Sequence, residues 1–201
     1  MSLNEEFFNK ASSESTGDTD YESDSLSVSS DEFDYQIDNI DLDGEVLKSQ
    51  YAIIKKIGKG SYANVWLAYD ITNNKYVAIK VQHPDNYTEG FEEMQFLRKI
   101  RLYKCKYINN LLEGFVEIRR DHDNDKKKKY ICMVFELLAG NLYDIIQDGT
   151  FSKGLPINIV KNMTKQLLIG LDIMHNKMEA YHADLKPENI LLKGIDLKNT
   201  A

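Results

Sequence analysis

The stretch HADLKPENILL, residues 182–192, decides the reading of this chain. It fits the pattern H-R-D-L-x-x-x-N with one departure, Ala183 in place of Arg. Asp184, Lys186 and Asn189 fall within a six-residue window. A carboxylate, an ammonium and an amide so close together can take a proton from a hydroxyl, contact a phosphoryl oxygen and hold a metal ion. A long amphipathic segment leads into this stretch. Pro156 stands where helix starts tolerate proline, and Ile159, Met163, Leu167 and Leu171 recur every four residues. That spacing predicts a helix over 156–178.

Three motifs lie upstream, in an order that supports the first. IGKGSYANV, residues 57–65, runs from Ile57 through Gly58, Lys59, Gly60, Ser61, Tyr62, Ala63 and Asn64 to Val65. Its two glycines let the backbone come close to phosphate oxygens and turn N–H groups toward them. The full pattern is G-x-G-x-x-G-x-V, and Ala63 occupies the third glycine position. A two-glycine hairpin is by itself more often just a tight turn. VAIK, residues 77–80, reads as a strand in which Ala78 and Lys80 share one face while Val77, Ile79 and Val81 share the other. A small residue beside a lysine suits a nucleotide with its base over Ala78 and its phosphates at Lys80. A lysine aimed at phosphates needs a carboxylate to hold it. Glu93, on the next predicted helix, is the candidate, preferred to adjacent Glu92 because it lies four residues before apolar Leu97.

The remaining periodicities predict strands at 51–57, 64–69, 76–82, 111–118 and 130–137. Helices are expected at 90–102, with Phe91, Met94 and Leu97 on its apolar face, and at 141–147. Three strands, a helix, two strands and then helices describe an α+β chain: a small sheet domain over 46–138 and the start of a helical one over 139–201. Trp66, Cys105 and Cys132 read as packing residues. The charged loop 121–129 reads as a solvated hairpin connection rather than a nucleic-acid patch.

Composition bounds the class. Of 201 residues, 42% are hydrophobic and 28% charged, the balance of a soluble globular protein. No run approaches the ~18 apolar residues of a membrane span. The N-terminus MSLNEEFFNK has no basic-then-apolar signal pattern. Two cysteines without metal spacing suit a reducing, intracellular compartment, cytoplasmic or nuclear. Residues 1–45 hold 14 acidic side chains and one lysine, against 18 acidic and 24 basic in the rest. This Ser-rich acidic stretch is expected to be a disordered, solubilising tail. The sharper alternative is a phosphorylated or autoinhibitory segment lying on the basic domain.

Over residues 51–192 these motifs resemble the eukaryotic serine/threonine protein kinases. The stretches GEVLKSQYAIIKKIGKGSYANVWLAYD and ICMVFELL are most similar to the SR-protein kinases. The resemblance implies a kinase fold and phosphorylation of protein Ser/Thr hydroxyls, Ser/Arg-rich ones among them, with ATP and Mg²⁺. It makes Asp184 the proton acceptor, places Lys186 at the transferred phosphate and gives Asn189 a metal ion. It puts residues 57–65, Ala78, Lys80 and Glu93 around ATP. Phe135 becomes the gatekeeper, and Glu136 and Leu138 offer backbone to adenine. That family also lacks the Arg of the H-x-D motif, which implies that pairing of this Arg with a phosphorylated activation loop is not used. The 201 residues contain neither D-F-G nor A-P-E. The expectation is therefore little activity from this chain alone, or a second chain that completes the helical lobe. The competing class is a kinase-derived module that binds nucleotide or a partner without catalysis. The Asn-, Lys-, Ile- and Tyr-rich composition points to an AT-rich source such as a parasite or large virus, the latter implying a host-cell location.

Overall fold

The computed structural model describes residues 40–120, 127–147, 151 and 154–194. Most of the acidic segment, 1–39, lies outside them, as do 121–126 of the charged connection and 195–201. Six strands form one sheet: β1 (Val46–Leu47), β2 (Tyr51–Lys59), β3 (Ala63–Asp70), β4 (Lys75–Gln82), β5 (Leu111–Arg120) and β6 (Lys127–Glu136). Their spatial order is β1-β2-β3-β4-β6-β5, with every neighbouring pair antiparallel. Helix α1 (Tyr87–Ile100) lies between β4 and β5 in sequence. After β6 come β7 (Gly140–Asn141), α2 (Leu142–Gln147), α3 (Ile157–Met178) and β8 (Leu191–Leu192), and β7 pairs with β8.

The period of two in β4 and β6 builds two cores, one on each face of the sheet. Val77, Ile79 and Val81 join Tyr130, Cys132 and Val134 on one face, with Trp66 and Ile53. Ile131 and Met133 point the other way, to a second cluster with Met94 of α1 and Leu111. Helix α1 can approach because Gly114 has no side chain: a Cβ there would stand under 3 Å from the Met94 side chain. Trp66, Cys105 and Cys132 are buried, and both thiols are free.

Four expectations need correction. Ile40 and Leu42 pack into the first core, so residues 40–45 belong with the sheet and not with a tail ending at Glu45. Helix α1 begins three residues earlier than expected and presents Gly90, Met94 and Ile100 to the sheet, while Phe91 stays exposed. The reason is a close approach: a Cβ on Gly90 would be 2.6 Å from the Gln82 side chain, so the glycine faces inward. On α3, Gly170 and Met174 are buried but Ile159 is exposed. Lys127, Lys128 and Lys129 are strand residues of β6, although the sequence suggested a loop.

Two carboxylates fasten the turns of the sheet. Asp70, almost wholly buried, accepts hydrogen bonds from Gln50 Nε2, the backbone N–H of Thr72 and Asn73, and Asn73 Nδ2. Burial alone would raise its pKa, but these donors outweigh it and hold it below the usual value. Glu113 accepts from Lys48 Nζ and from the Tyr51 hydroxyl at 2.5 Å. Burial opposes its ionisation too, and again the donors win. Tyr51 is pushed up, by burial first and then by Glu113. The Lys48–Glu113 contact spans from the β1–β2 turn to β5. In that turn Lys48 and Ser49 are both left-handed (φ 50 and 54), and Gln50 N–H closes it on the Leu47 carbonyl at 3.0 Å.

Removing Asp70 orphans its donors, so Asp70→Ala is expected to lose about 2–3 kcal/mol of stability. Asp70 and Glu113 both have folded-state pKa values below their unfolded ones. Their contribution is therefore complete above about pH 5 and disappears as pH falls through the folded-state values. Thermal melts from about pH 7 to about pH 3 should show Asp70→Asn starting lower but losing less on acidification than the wild type.

Candidate active site

Strand β4 aims Lys80. Its cross-strand partner is Met133, which belongs to the cluster on the α1 side of the sheet. Lys80 therefore points toward α1, and its Nζ sits 2.7 Å from both carboxylate oxygens of Glu93. The choice between Glu92 and Glu93 is settled by helix rotation: Glu93 precedes buried Met94 and is half-buried, while Glu92 is exposed. Ala78 shares the partly covered face of β4 with Lys80, as the alternation predicted.

The loop 57–65 forms the β2–β3 hairpin. Gly58 pairs with Val65 and Lys59 with Asn64, and Gly60 N–H donates to the Ala63 carbonyl at 3.0 Å. A Cβ on Gly58 would lie 3.3 Å from the Val65 side chain, and one on Gly60 3.2 Å from the Ala63 oxygen. The two glycines thus have a packing reason of their own. Tyr62 is exposed at the tip, and its carbonyl accepts from His83 N–H at 2.9 Å. Asn64 is buried, and neither side-chain polar atom has a partner among the described residues.

The second half of the site follows α3. Ala183 has φ 58, a left-handed conformation that costs an L-residue on the order of 1 kcal/mol. The turn is closed by Asp184 N–H donating to the His182 carbonyl at 2.7 Å. Asn189 Nδ2 donates to the Asp184 backbone oxygen at 2.9 Å and to Asp184 Oδ2 at 2.8 Å. Lys186 Nζ lies 3.1 Å from the same Oδ2. The exposed Asp184 carboxyl is held below its usual pKa, first by Lys186 and then by Asn189. The amide of Asn189 is oriented by its two bonds through nitrogen, which leaves Oδ1 to face a ligand.

Lys80, Glu93, Asp184 and Asn189 line a single cleft of about 650 Å³. Phe135 lies on its wall. Glu136 and Leu138 line an adjoining cavity of about 580 Å³ that also reaches Asn189. Residues 57–65, Ala78 and Lys186 line neither of these two cavities. Glu136 forms an ion pair with Lys193 at 3.0 Å, which ties the end of β6 to the segment after β8. The sequence did not point to Ile108, Gly170, Met174 or Tyr181 as cleft residues. The period of α3 contains the signal for Met174, one turn beyond Gly170, while the irregular segment carrying Ile108 offers none.

Residues 51–199 match the protein kinase domain family. Among relatives, the serine/threonine-protein kinase SRPK of Physarum polycephalum is 44% identical over 155 residues, covering 74% of this chain and 35% of its own length. The serine/threonine-protein kinase SKY1 of Saccharomyces cerevisiae is 36% identical, covering 77% of this chain and 21% of its own. SRSF protein kinase 3 of Homo sapiens is 34% identical, covering 74% and 26%. The chain thus spans about a third or less of the length of these relatives. A family match over most of its residues, on the fold and site just described, places this chain in the protein kinase family, among the serine/threonine kinases close to the SR-protein kinases.

Proposed function

We propose that this chain carries the nucleotide-binding and proton-accepting parts of an ATP-dependent kinase acting on protein Ser/Thr hydroxyls. The observation that carries the reading is the shared cleft: a lysine clamped by Glu93 on one side, and Asp184 tied to Asn189 on the other. In phosphoryl transfer the protein contributes mainly position and charge. Lys80, held at two oxygens by Glu93, presents its ammonium to phosphate oxygens without swinging away. The 57–65 hairpin would offer backbone N–H groups to the phosphates, with that of Gly60 already committed to Ala63. Backbone at Glu136 and Leu138 would take the adenine edge, and Ala78 leaves room for the ring.

Asp184 is ionised well below neutral pH and so is ready to accept the proton of a substrate hydroxyl. Lys186 beside it would neutralise the transferred phosphoryl oxygens. The donor set fits Mg²⁺: a hard ion takes oxygen ligands, and Asn189 Oδ1 is the oriented one. Mg²⁺, when bound, neutralises charge on the phosphates. The substrate class we infer is Ser/Arg-rich protein, on the likeness to the SR-protein kinases. No helix among the described residues is long and apolar enough to cross a membrane. An ATP-dependent reaction and free, buried cysteines favour an intracellular setting.

Titration with a fluorescent ATP analogue should show binding that Lys80→Met weakens about tenfold or more, the loss of one charge-assisted contact. Equal binding by the variant would count against the site. With a helical lobe supplied as a second chain, Asp184→Asn should leave the affinity within about twofold yet abolish radiolabel transfer to a Ser/Arg-rich peptide. Between about pH 6 and 8 the transfer rate should show no inflection from Asp184, because the carboxyl stays ionised throughout.

A further inference from the structure

The sheet carries a further cavity, apart from the cleft. It encloses about 630 Å³ between the start of β5, the end of α1 and the β3–β4 turn. It shares no residue with the cleft that holds Lys80 and Asp184. Tyr51, Leu111 and Val134, all buried, supply its apolar lining. Three cations line it too: Lys75 at the start of β4, Arg98 in the last turn of α1 and Arg101 just after it.

The carboxylates of this cavity do not answer those cations. Asp70 is taken up by Gln50, Thr72 and Asn73, and Glu113 by Lys48 and Tyr51. None of Lys75, Arg98 and Arg101 forms an ion pair with a carboxylate among the described residues. The two arginines are nonetheless held in place. Arg98 Nη2 donates to the Gly114 carbonyl at 2.8 Å, and Arg101 Nη1 donates to the Leu112 carbonyl at 2.9 Å. These carbonyls lie two residues apart on β5, the edge strand of the sheet, which sets the anchored guanidinium groups about 7 Å apart.

Covering an edge strand is a structural use of an arginine, and the carbonyl end of a helix also favours nearby cations. Those uses leave most of the guanidinium N–H donors free. They give no reason for Lys75, which stands on a different element. Two oriented guanidinium groups with an ammonium beside them match an anion of several oxygens and high charge. We propose that this cavity binds a phosphate monoester. Its phosphoryl group brings three strong acceptor oxygens and close to two negative charges. The cavity is far larger than that group, and the apolar lining would meet the organic part of the ester. A phosphorylated small molecule and a phosphorylated side chain present the same group. The site is independent of the phosphotransfer reading.

The test titrates the full chain, by calorimetry, with free phosphoserine, with a peptide bearing phosphoserine and with the same peptide unphosphorylated. A phosphorylated probe should bind saturably, inorganic phosphate should compete with it, and the unphosphorylated peptide should not bind. Tighter binding of the phosphopeptide identifies a protein as the source of the ester, and tighter binding of free phosphoserine identifies a small molecule. Arg98→Gln and Lys75→Gln should each weaken binding about tenfold, the loss of one charge-assisted contact. The Lys75 side chain has no hydrogen-bond or ion-pair partner among the described residues, so its variant keeps the test open if Arg98→Gln melts early. Two controls should bind as the wild type does: Lys99→Gln, a neighbouring cation outside the cavity, and Lys80→Met, in the cleft. No saturation below about 10 mM would overturn the proposal. An equal loss in Lys99→Gln would overturn it as well, because the anion would then sense only a diffuse basic surface. So would a loss confined to Lys80→Met, which would put the probe in the cleft.

Discussion

The contact on which the site depends is the ion pair between Lys80 and Glu93, made at 2.7 Å to both carboxylate oxygens. It joins the middle of the sheet to the helix that packs on it. Neither partner is deeply buried, with 30% and 37% of the side chains exposed, so its value lies in direction more than in stability. A free lysine on a strand sweeps a wide volume. Clamped by a two-oxygen partner, it offers charge at one place. The backbone has to be right first: Gly114 admits Met94, Gly90 admits the Gln82 side chain, and α1 is thereby rotated so that Glu93 faces the strand.

The opposite wall of the cleft works by other means. Asp184 is exposed, and its neighbours outweigh what little desolvation it meets. Its direction comes from the strained turn at Ala183, and its charge state from Lys186 and Asn189. The pairing of β7 with β8, and the hydrogen bond from Leu142 N–H to the Ile190 carbonyl, fasten the chain just after this loop. One wall is therefore a rigid sheet-and-helix unit, and the other a short loop braced at both ends. The segment between α1 and β5 also rests on α3, where the Tyr107 carbonyl lies against Gly170.

Much of this was legible in the residues. The period of two in VAIK separated the core-facing valines and isoleucine from Ala78 and Lys80, because a half-buried strand leaves little freedom in that choice. HADLKPENILL held Asp184, Lys186 and Asn189 close in sequence, and the fold kept them close in space. What escaped was set by tertiary approach. Phe91 looked like a core residue by spacing, yet Gly90 took the inward position because the sheet comes too close for a side chain. Ile40 and Leu42 were lost in the acidic composition around them, although two apolar residues suffice to fasten a short segment to a core. The Tyr103–Lys177 bond joins positions 74 apart, and no local pattern announces it.

The central claim is that Lys80 and Glu93 act as one unit on a bound nucleotide. A double-mutant cycle on ATP affinity, with Lys80→Met, Glu93→Gln and their combination, tests it most directly. If the account holds, each single change weakens binding, and the double variant binds no worse than Lys80→Met alone. Effects that simply multiply, or a Glu93→Gln protein with wild-type affinity and rate, would contradict it.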